Sequence, residues 1–217
     1  MQELPKYPVA TDIAVFSVEK NALKILLIKR KHEPFKGMHA LPGGFLEPDD
    51  PSLDACASRE LYEETGIKNI FIKMLHAYGD KGRDPRGRII SIAYLALVNS
   101  KELELNKPKT SEDAEWVDIR EVGRLAFDHN KILEEATTEL KHEIMNSNIV
   151  FQILPERFTL TEMQRVYETI LGRKLDKRNF RKWAKRLPIR PTYETKMEGI
   201  HRPAMLYEFK THTYARL

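Results

Sequence analysis

A single cysteine, Cys56, stands among 217 residues, which excludes an intramolecular disulfide framework. No apolar stretch approaches the roughly 20 residues that a membrane-spanning helix needs. The longest uncharged, mostly apolar run is Ile89–Val98. The opening Met-Gln-Glu-Leu-Pro-Lys lacks the pattern of a signal peptide, so the cytoplasm is the expected compartment. The seven histidines are scattered without metal-ligand spacing, and no Ser-His-Asp or Cys-His set stands out. Internal repeats and low-complexity tracts are also missing. What is present is globular in composition, 41% hydrophobic and 31% charged, in a chain long enough for one large domain or two small ones.

The formal net charge of +4 hides an asymmetry. Residues 1–150 carry 21 Lys and Arg against 25 Asp and Glu, a net −4, whereas residues 151–217 carry 15 against 7, a net +8. A basic half joined to an acidic one points to a nucleic-acid partner; a surface charged for solubility is the alternative.

The first 120 residues alternate strand-like and turn-like segments. Val9–Val18, Leu23–Lys29, Ile70–His76 and Arg88–Val98 are rich in β-branched and aromatic residues, and Trp116–Ile119 is a further short strand. One helix interrupts them. Asp50 is a good N-cap, Pro51 suits a first helical position and Gly66 a C-terminal stop, so the helix is expected over Pro51–Thr65. At about 100° per residue, Glu60, Glu63 and Glu64 share an arc roughly 100° wide, in line with Leu53, Cys56 and Ala57 one and two turns earlier. A stripe that begins apolar and ends in three carboxylates repels itself unless cations neutralise it, and oxygen donors suit Mg²⁺ or Mn²⁺.

Together with Gly43-Gly44, the run Arg59-Glu60-Leu61-Tyr62-Glu63-Glu64-Thr65-Gly66-Ile67 resembles the signature of the Nudix hydrolases. The second half of that signature matches at every position. The first half departs from it: Asp50 stands where the family has Glu, and one extra residue lies in the loop around Asp49–Ser52, so the role of Asp50 is open. The resemblance implies a mixed α/β (α+β) sandwich in which Glu60, Glu63, Glu64 and the Gly44 carbonyl hold Mg²⁺ or Mn²⁺ against a diphosphate, with Arg59 orienting a carboxylate. A further carboxylate is needed to take a proton from water; Glu112 is the candidate, ahead of Asp113 and Glu115. The loop Asp80–Arg88 offers Arg83, Arg86 and Arg88, whose planar guanidiniums match phosphate oxygens, although an ordinary exposed turn has the same composition. Lys29, Arg30 and Lys31 end a strand, where phosphate binding is one reading and a solvated edge at least as good a one. His39 is expected near the active-site strand and His129 at a junction.

From Phe127 the pattern changes. A helix from Asp128 or His129 runs through Ile132, Leu133, Ala136, Leu140 and Ile144 and ends at Asn146-Ser147-Asn148, where the domain boundary is expected: residues 1–148, with a linker helix over about 129–146, and residues 149–217. Thr159–Leu171 and Lys177–Leu187 follow as helices, then strands Ile189–Thr195 and Ala204–Phe209. Two helices, the second basic, and a hairpin make a small winged helix-turn-helix domain. Its DNA-binding candidates are Lys177, Arg178, Asn179, Arg181 and Lys182 on the second helix and Lys196 and Arg202 on the wing. The paired halves, with Ala126-Phe127-Asp128-His129 between them, resemble the NrtR family of transcriptional regulators of NAD metabolism. That resemblance implies ADP-ribose or a related nucleotide as ligand, hydrolysis to AMP and ribose 5-phosphate, and a homodimer on a palindromic double-stranded DNA operator. A stand-alone cytosolic pyrophosphatase, or a non-catalytic sensor of another ligand such as a pentose, remain alternatives.

Overall fold

In the computed structural model, which describes residues 5–68, 70–100, 114–197 and 203–217, the order of elements is β1 (Val9–Glu19), β2 (Ala22–Lys29), β3 (His39–Ala40), β4 (Gly43–Phe45), α1 (Leu53–Thr65), β5 (Ile72–Tyr78), β6 (Ile90–Leu97), β7 (Ala114–Asp118) and α2 (His129–Asn146). A 3₁₀ turn (Ile149–Gln152) leads into β8 (Phe158–Thr159), α3 (Leu160–Leu171), α4 (Lys177–Ala184), β9 (Ile189–Lys196) and β10 (Ala204–Phe209).

The large sheet runs β3-β2-β1-β6-β5, with β4 added to β1 and β7 to β2; β1 and β6 pair parallel, and its other pairs among the described residues are antiparallel. Because side chains alternate across a strand, β1 feeds two cores. Ile13 and Val15 pack with Leu26, Tyr94, Ala96 and α1 residues Ala57 and Leu61. Ala14 and Phe16 pack on the other face with Ile25, Leu95 and α2 residues Ile132, Ala136 and Leu140. A sheet covered on both faces explains why β1 reads as one continuous apolar run. The sandwich expected from the sequence is therefore present.

Helix α1 begins two residues later than its sequence suggests. Ser52 is the cap, accepting from the Ala55 N–H at 3.1 Å, while Asp50 is taken by Arg59 through two charge-assisted bonds at 3.0 and 2.8 Å. A bidentate ion pair outcompetes a neutral cap. Gly66, at φ 76°, closes the helix as expected. Strands β3, β4 and β8 were not legible because two or three residues carry no periodicity.

In the second half, Thr159 and Glu162 form a reciprocal capping box for α3, and Asp176 accepts from the Asn179 N–H at 2.8 Å to start α4. The hairpin β9–β10 pairs with β8, completing a winged helix. The two halves are not independent bodies. One core runs from Phe16 through Leu140 and Ile149 to Phe158, Met163, Tyr167 and Phe209. Residues 213–217 return to the end of α2: Asn148 bonds Thr213 and Ala215, Leu217 donates to Asn146, and Tyr214 stacks on Phe71 at 4.9 Å. Helix α2 is also tied to β5, through Lys73 to Glu139 and Glu143 (2.6 and 2.8 Å) and Tyr78 to Glu135 (2.6 Å).

Candidate functional site

The loop before β4 and the last two turns of α1 face one another because β4 pairs with β1 and α1 lies against that edge. Gly43 adopts φ 153°, and a Cβ there would strike the Thr11 carbonyl. A Cβ on Gly44 would occupy the position of the Glu60 carboxylate. Both glycines are therefore required by close approach. The Gly43 N–H donates to Glu64 at 2.8 Å, and burial, aided by Glu60 and Asp12, pushes the Glu64 carboxyl up to about 8. Burial also raises Glu60, against the pull of Arg59.

Arg59 is the hub of this corner. Besides Asp50 it donates to Glu60 at 2.8 Å, to Glu63 at 3.4 Å and to the Phe45 carbonyl at 3.0 Å. Its bidentate partner is thus Asp50, and the added loop residue is absorbed while Asp50 anchors the guanidinium. Glu63 is 56% exposed and turned to Arg59, and the three glutamates do not close to within 4.8 Å of one another. Glu60 and Glu64 fit a divalent cation by their chemistry: burial raises both carboxyls, Glu60 raises Glu64 further, and a shared cation restores their charge.

The opposite wall is basic and aromatic. Arg30 and Arg86 lie 4.6 and 5.5 Å from the Phe127 ring centroid, and Arg86 lies 5.1 Å from that of Phe45. Burial and the nearby Arg86 both lower Arg30, so the two guanidiniums repel one another. An anion between them relieves that repulsion. Arg86 is held by Asp84 at 3.0 and 2.7 Å.

Arg83 is placed differently from the sequence expectation. Its side chain is 4% exposed and clamps Asp128 at 2.9 and 2.7 Å, with Asp12 at 3.4 Å. Asp12 also takes the Ser91 hydroxyl and faces His129 Nε2 at 3.3 Å; His129 Nδ1 accepts the Leu41 N–H at 3.0 Å. Burial would raise Asp12, but these partners outweigh it and hold the carboxyl near about 2. This network joins β1, the arginine loop and the first turn of α2. The sequence gives no signal for Asp12, Phe127 and Asp128 as site residues because their neighbours are set only by the fold, and it leaves Arg30 open between phosphate binding and a solvated strand edge. Arg88 lies over Tyr7 at 5.8 Å. Glu112 and Asp113 lie outside the described residues; Glu115 pairs with His39 at 2.8 Å on the edge of the sheet.

On the winged helix, Lys177, Arg178, Asn179, Arg181 and Lys182 are all exposed on α4, whose other face buries Phe180 and Ala184. Lys196 on β9 pairs with Glu162 at 2.6 Å, and Arg202 lies outside the described residues. A groove of about 590 Å³ runs between α4 and the hairpin, with Arg181 and Lys185 on one side and Met205 and Tyr207 on the other.

With this geometry in hand, comparison with known proteins is informative. The chain matches the NUDIX domain over residues 6–138 and the NrtR DNA-binding winged helix domain over residues 150–209. It is 38% identical over 216 residues to the ADPR responsive transcriptional repressor NtrR of Acinetobacter baylyi, covering 98% of this chain and 86% of that one. It is 41% identical over 123 residues to an ADP-ribose pyrophosphatase of Methanocaldococcus jannaschii, covering 57% of this chain and 71% of that one. Its structure superposes on Shewanella oneidensis NrtR complexed with a 27mer DNA with a TM-score of 0.84, at 32% identity and 93% coverage of both chains.

Proposed function

The chain belongs to the NrtR family, Nudix proteins with a C-terminal winged helix, and from that premise we propose that it is an ADP-ribose-responsive transcriptional repressor whose first domain also hydrolyses its ligand. The observation that carries this reading is the joining of an acidic helix and a glycine loop to a basic helix: α1 packs on one face of the large sheet, and the core on the other face continues through α2 to Phe180 and Ala184 of α4. ADP-ribose is read by the first domain, duplex operator DNA by the second, and the active form is a homodimer.

Glu60, Glu63, Glu64 and the Gly44 carbonyl would hold Mg²⁺ or Mn²⁺. When bound, such ions neutralise charge on a diphosphate and supply an acidified water. Arg59 sets the positions of Glu60 and Glu63, while the Gly43 N–H holds Glu64 toward the loop. Arg30 and Arg86 face the anionic ligand across the Phe127 and Phe45 rings, and Glu112 is the proposed acceptor of the water's proton. The products are AMP and ribose 5-phosphate.

Chromatography of ADP-ribose incubated with the protein and Mg²⁺ tests the hydrolase, and Glu64→Gln is expected to lower kcat on the order of a hundredfold or more with ligand binding partly retained. Unchanged turnover in that variant overturns the assignment, and a wild type that makes no AMP leaves the repressor without the enzyme. A gel-shift titration on the chain's own upstream region, with and without ADP-ribose, tests the regulator.

A further inference from the structure

Among the described residues, five other than glycine have left-handed backbones: Lys20, Asn21, Phe35, Phe127 and Tyr193. Four have a visible compensation. Lys20 and Asn21 form the tight turn between β1 and β2. Phe35 and Phe127 pack edge to face, ring centroids 4.9 Å apart, under Arg30.

Tyr193 has none. It sits in β9 at φ 64°, where the pairing with β10 slips between Met205 and Tyr207, and it is 88% exposed. Among the described residues its ring meets no aromatic or cationic partner and its hydroxyl makes no hydrogen bond. A bulky aromatic in this region is a steric outlier, and such strain clusters where a residue is held ready for something it meets. The surroundings say what that is. The β9–β10 hairpin shares its groove with Arg181 and Lys185 of α4, while Arg190, also on β9, is paired with Glu208 at 2.7 Å. A polyanion with apolar sugar and base edges meets both the cations and the ring.

We propose that Tyr193 is a DNA-contacting residue of the wing. The bulge turns its ring outward so that it enters the minor groove beside the segment read by α4, against deoxyribose and base edges. This rests on the DNA-binding reading above. The ring contributes apolar contact of the wedge type and no charge, so it adds affinity that salt does not screen.

The test is fluorescence anisotropy with a labelled duplex from the chain's own upstream region and a random duplex, at several salt concentrations, on the full chain. Tyr193→Gly is the discriminating variant because it relieves the left-handed strain. It is expected to raise the unfolding midpoint by about 2 °C. It is also expected to weaken operator binding on the order of tenfold, with the slope of log affinity against log salt unchanged. Tyr193→Phe keeps wild-type binding, and ADP-ribose affinity by calorimetry is unchanged in both. Wild-type operator affinity in Tyr193→Gly overturns the proposal alone. Loss of self-association in that variant, with DNA binding intact, overturns it in favour of a surface for a second copy of the chain. A wild type that binds neither duplex overturns the DNA reading itself.

Discussion

Arg83 and Arg86 stand three residues apart with the same charge, and their surroundings give them opposite roles. Arg83 is buried between Asp128 and Asp12, so Arg83→Ala leaves two carboxylates without their cation. Removing one partner of a buried ion pair costs about 3–5 kcal/mol. Urea unfolding is expected to show a loss of that size; a loss under about 1 kcal/mol would mean the clamp is dispensable. Arg86 faces the cleft, and Arg86→Ala is expected to weaken ADP-ribose binding by about 1.5–3 kcal/mol, with a smaller stability cost. Calorimetry showing wild-type affinity would remove it from the ligand site. At the same scale, the Tyr167 hydroxyl is buried and has no hydrogen-bond partner among the described residues, while its ring packs edge-on against Phe180 and Trp183. Tyr167→Phe keeps the packing and removes the desolvated group, so its stability is expected at or above that of the wild type, by about 1 kcal/mol, with the thermal midpoint rising accordingly. A fall in the midpoint would show that the hydroxyl has a partner.

At the scale of elements, the turn between α3 and α4 is held by one carboxylate. Glu168 accepts the Leu175 N–H at 3.0 Å, Lys174 at 2.9 Å and Gln164 at 3.0 Å, and the Leu175 bond first, then Lys174, lowers it from an ordinary 4.5 to about 2. A depressed carboxyl adds stability that is complete above its unfolded value and is lost as pH falls through its folded one. The Glu168 contribution therefore disappears between about pH 4.5 and about 2. Denaturant melts across that window are expected to show a shallower acid loss for Glu168→Gln, which lacks the titration; identical slopes would refute the assignment. The glycine loop and α1 are coupled through contact rather than titration. Gly44→Ala forces the Glu60 carboxylate aside, and a displacement of about 1 Å at a reacting centre costs on the order of a hundredfold in rate. Turnover within a few-fold of wild type would show that Glu60 has room to move.

At the scale of the whole molecule, α2 touches the cleft network, the large sheet and the winged helix. Its first residue is His129, its middle is bound to β5, and its end is wrapped by residues 213–217. A ligand that shifts Phe127 or the Asp128–Arg83 pair thus acts on a rigid element continuous with the core of the second domain. If ADP-ribose weakens operator binding by some factor, operator DNA must weaken ADP-ribose binding by the same factor. Paired titrations are expected to agree within error. An effect in one direction only would mean that the nucleotide is consumed during the assay, not sensed.

Local patterns settled much of this protein. The signature around Glu60, the extent of α3, the start of α4 and its basic face, and the apolar runs of β1 and β6 lie within single segments, where spacing and composition alone suffice. The tertiary structure decided what depends on distant partners. Asp50 lost the helix cap because Arg59, nine residues on, reaches it with two charged bonds. Arg83 left the ligand wall because the sheet brings Asp12 beside Asp128. Arg30 became a cleft residue because the chain returns Phe127 beneath it. Period and composition carry no record of such pairings, since two residues far apart in sequence meet only after the core between them has closed.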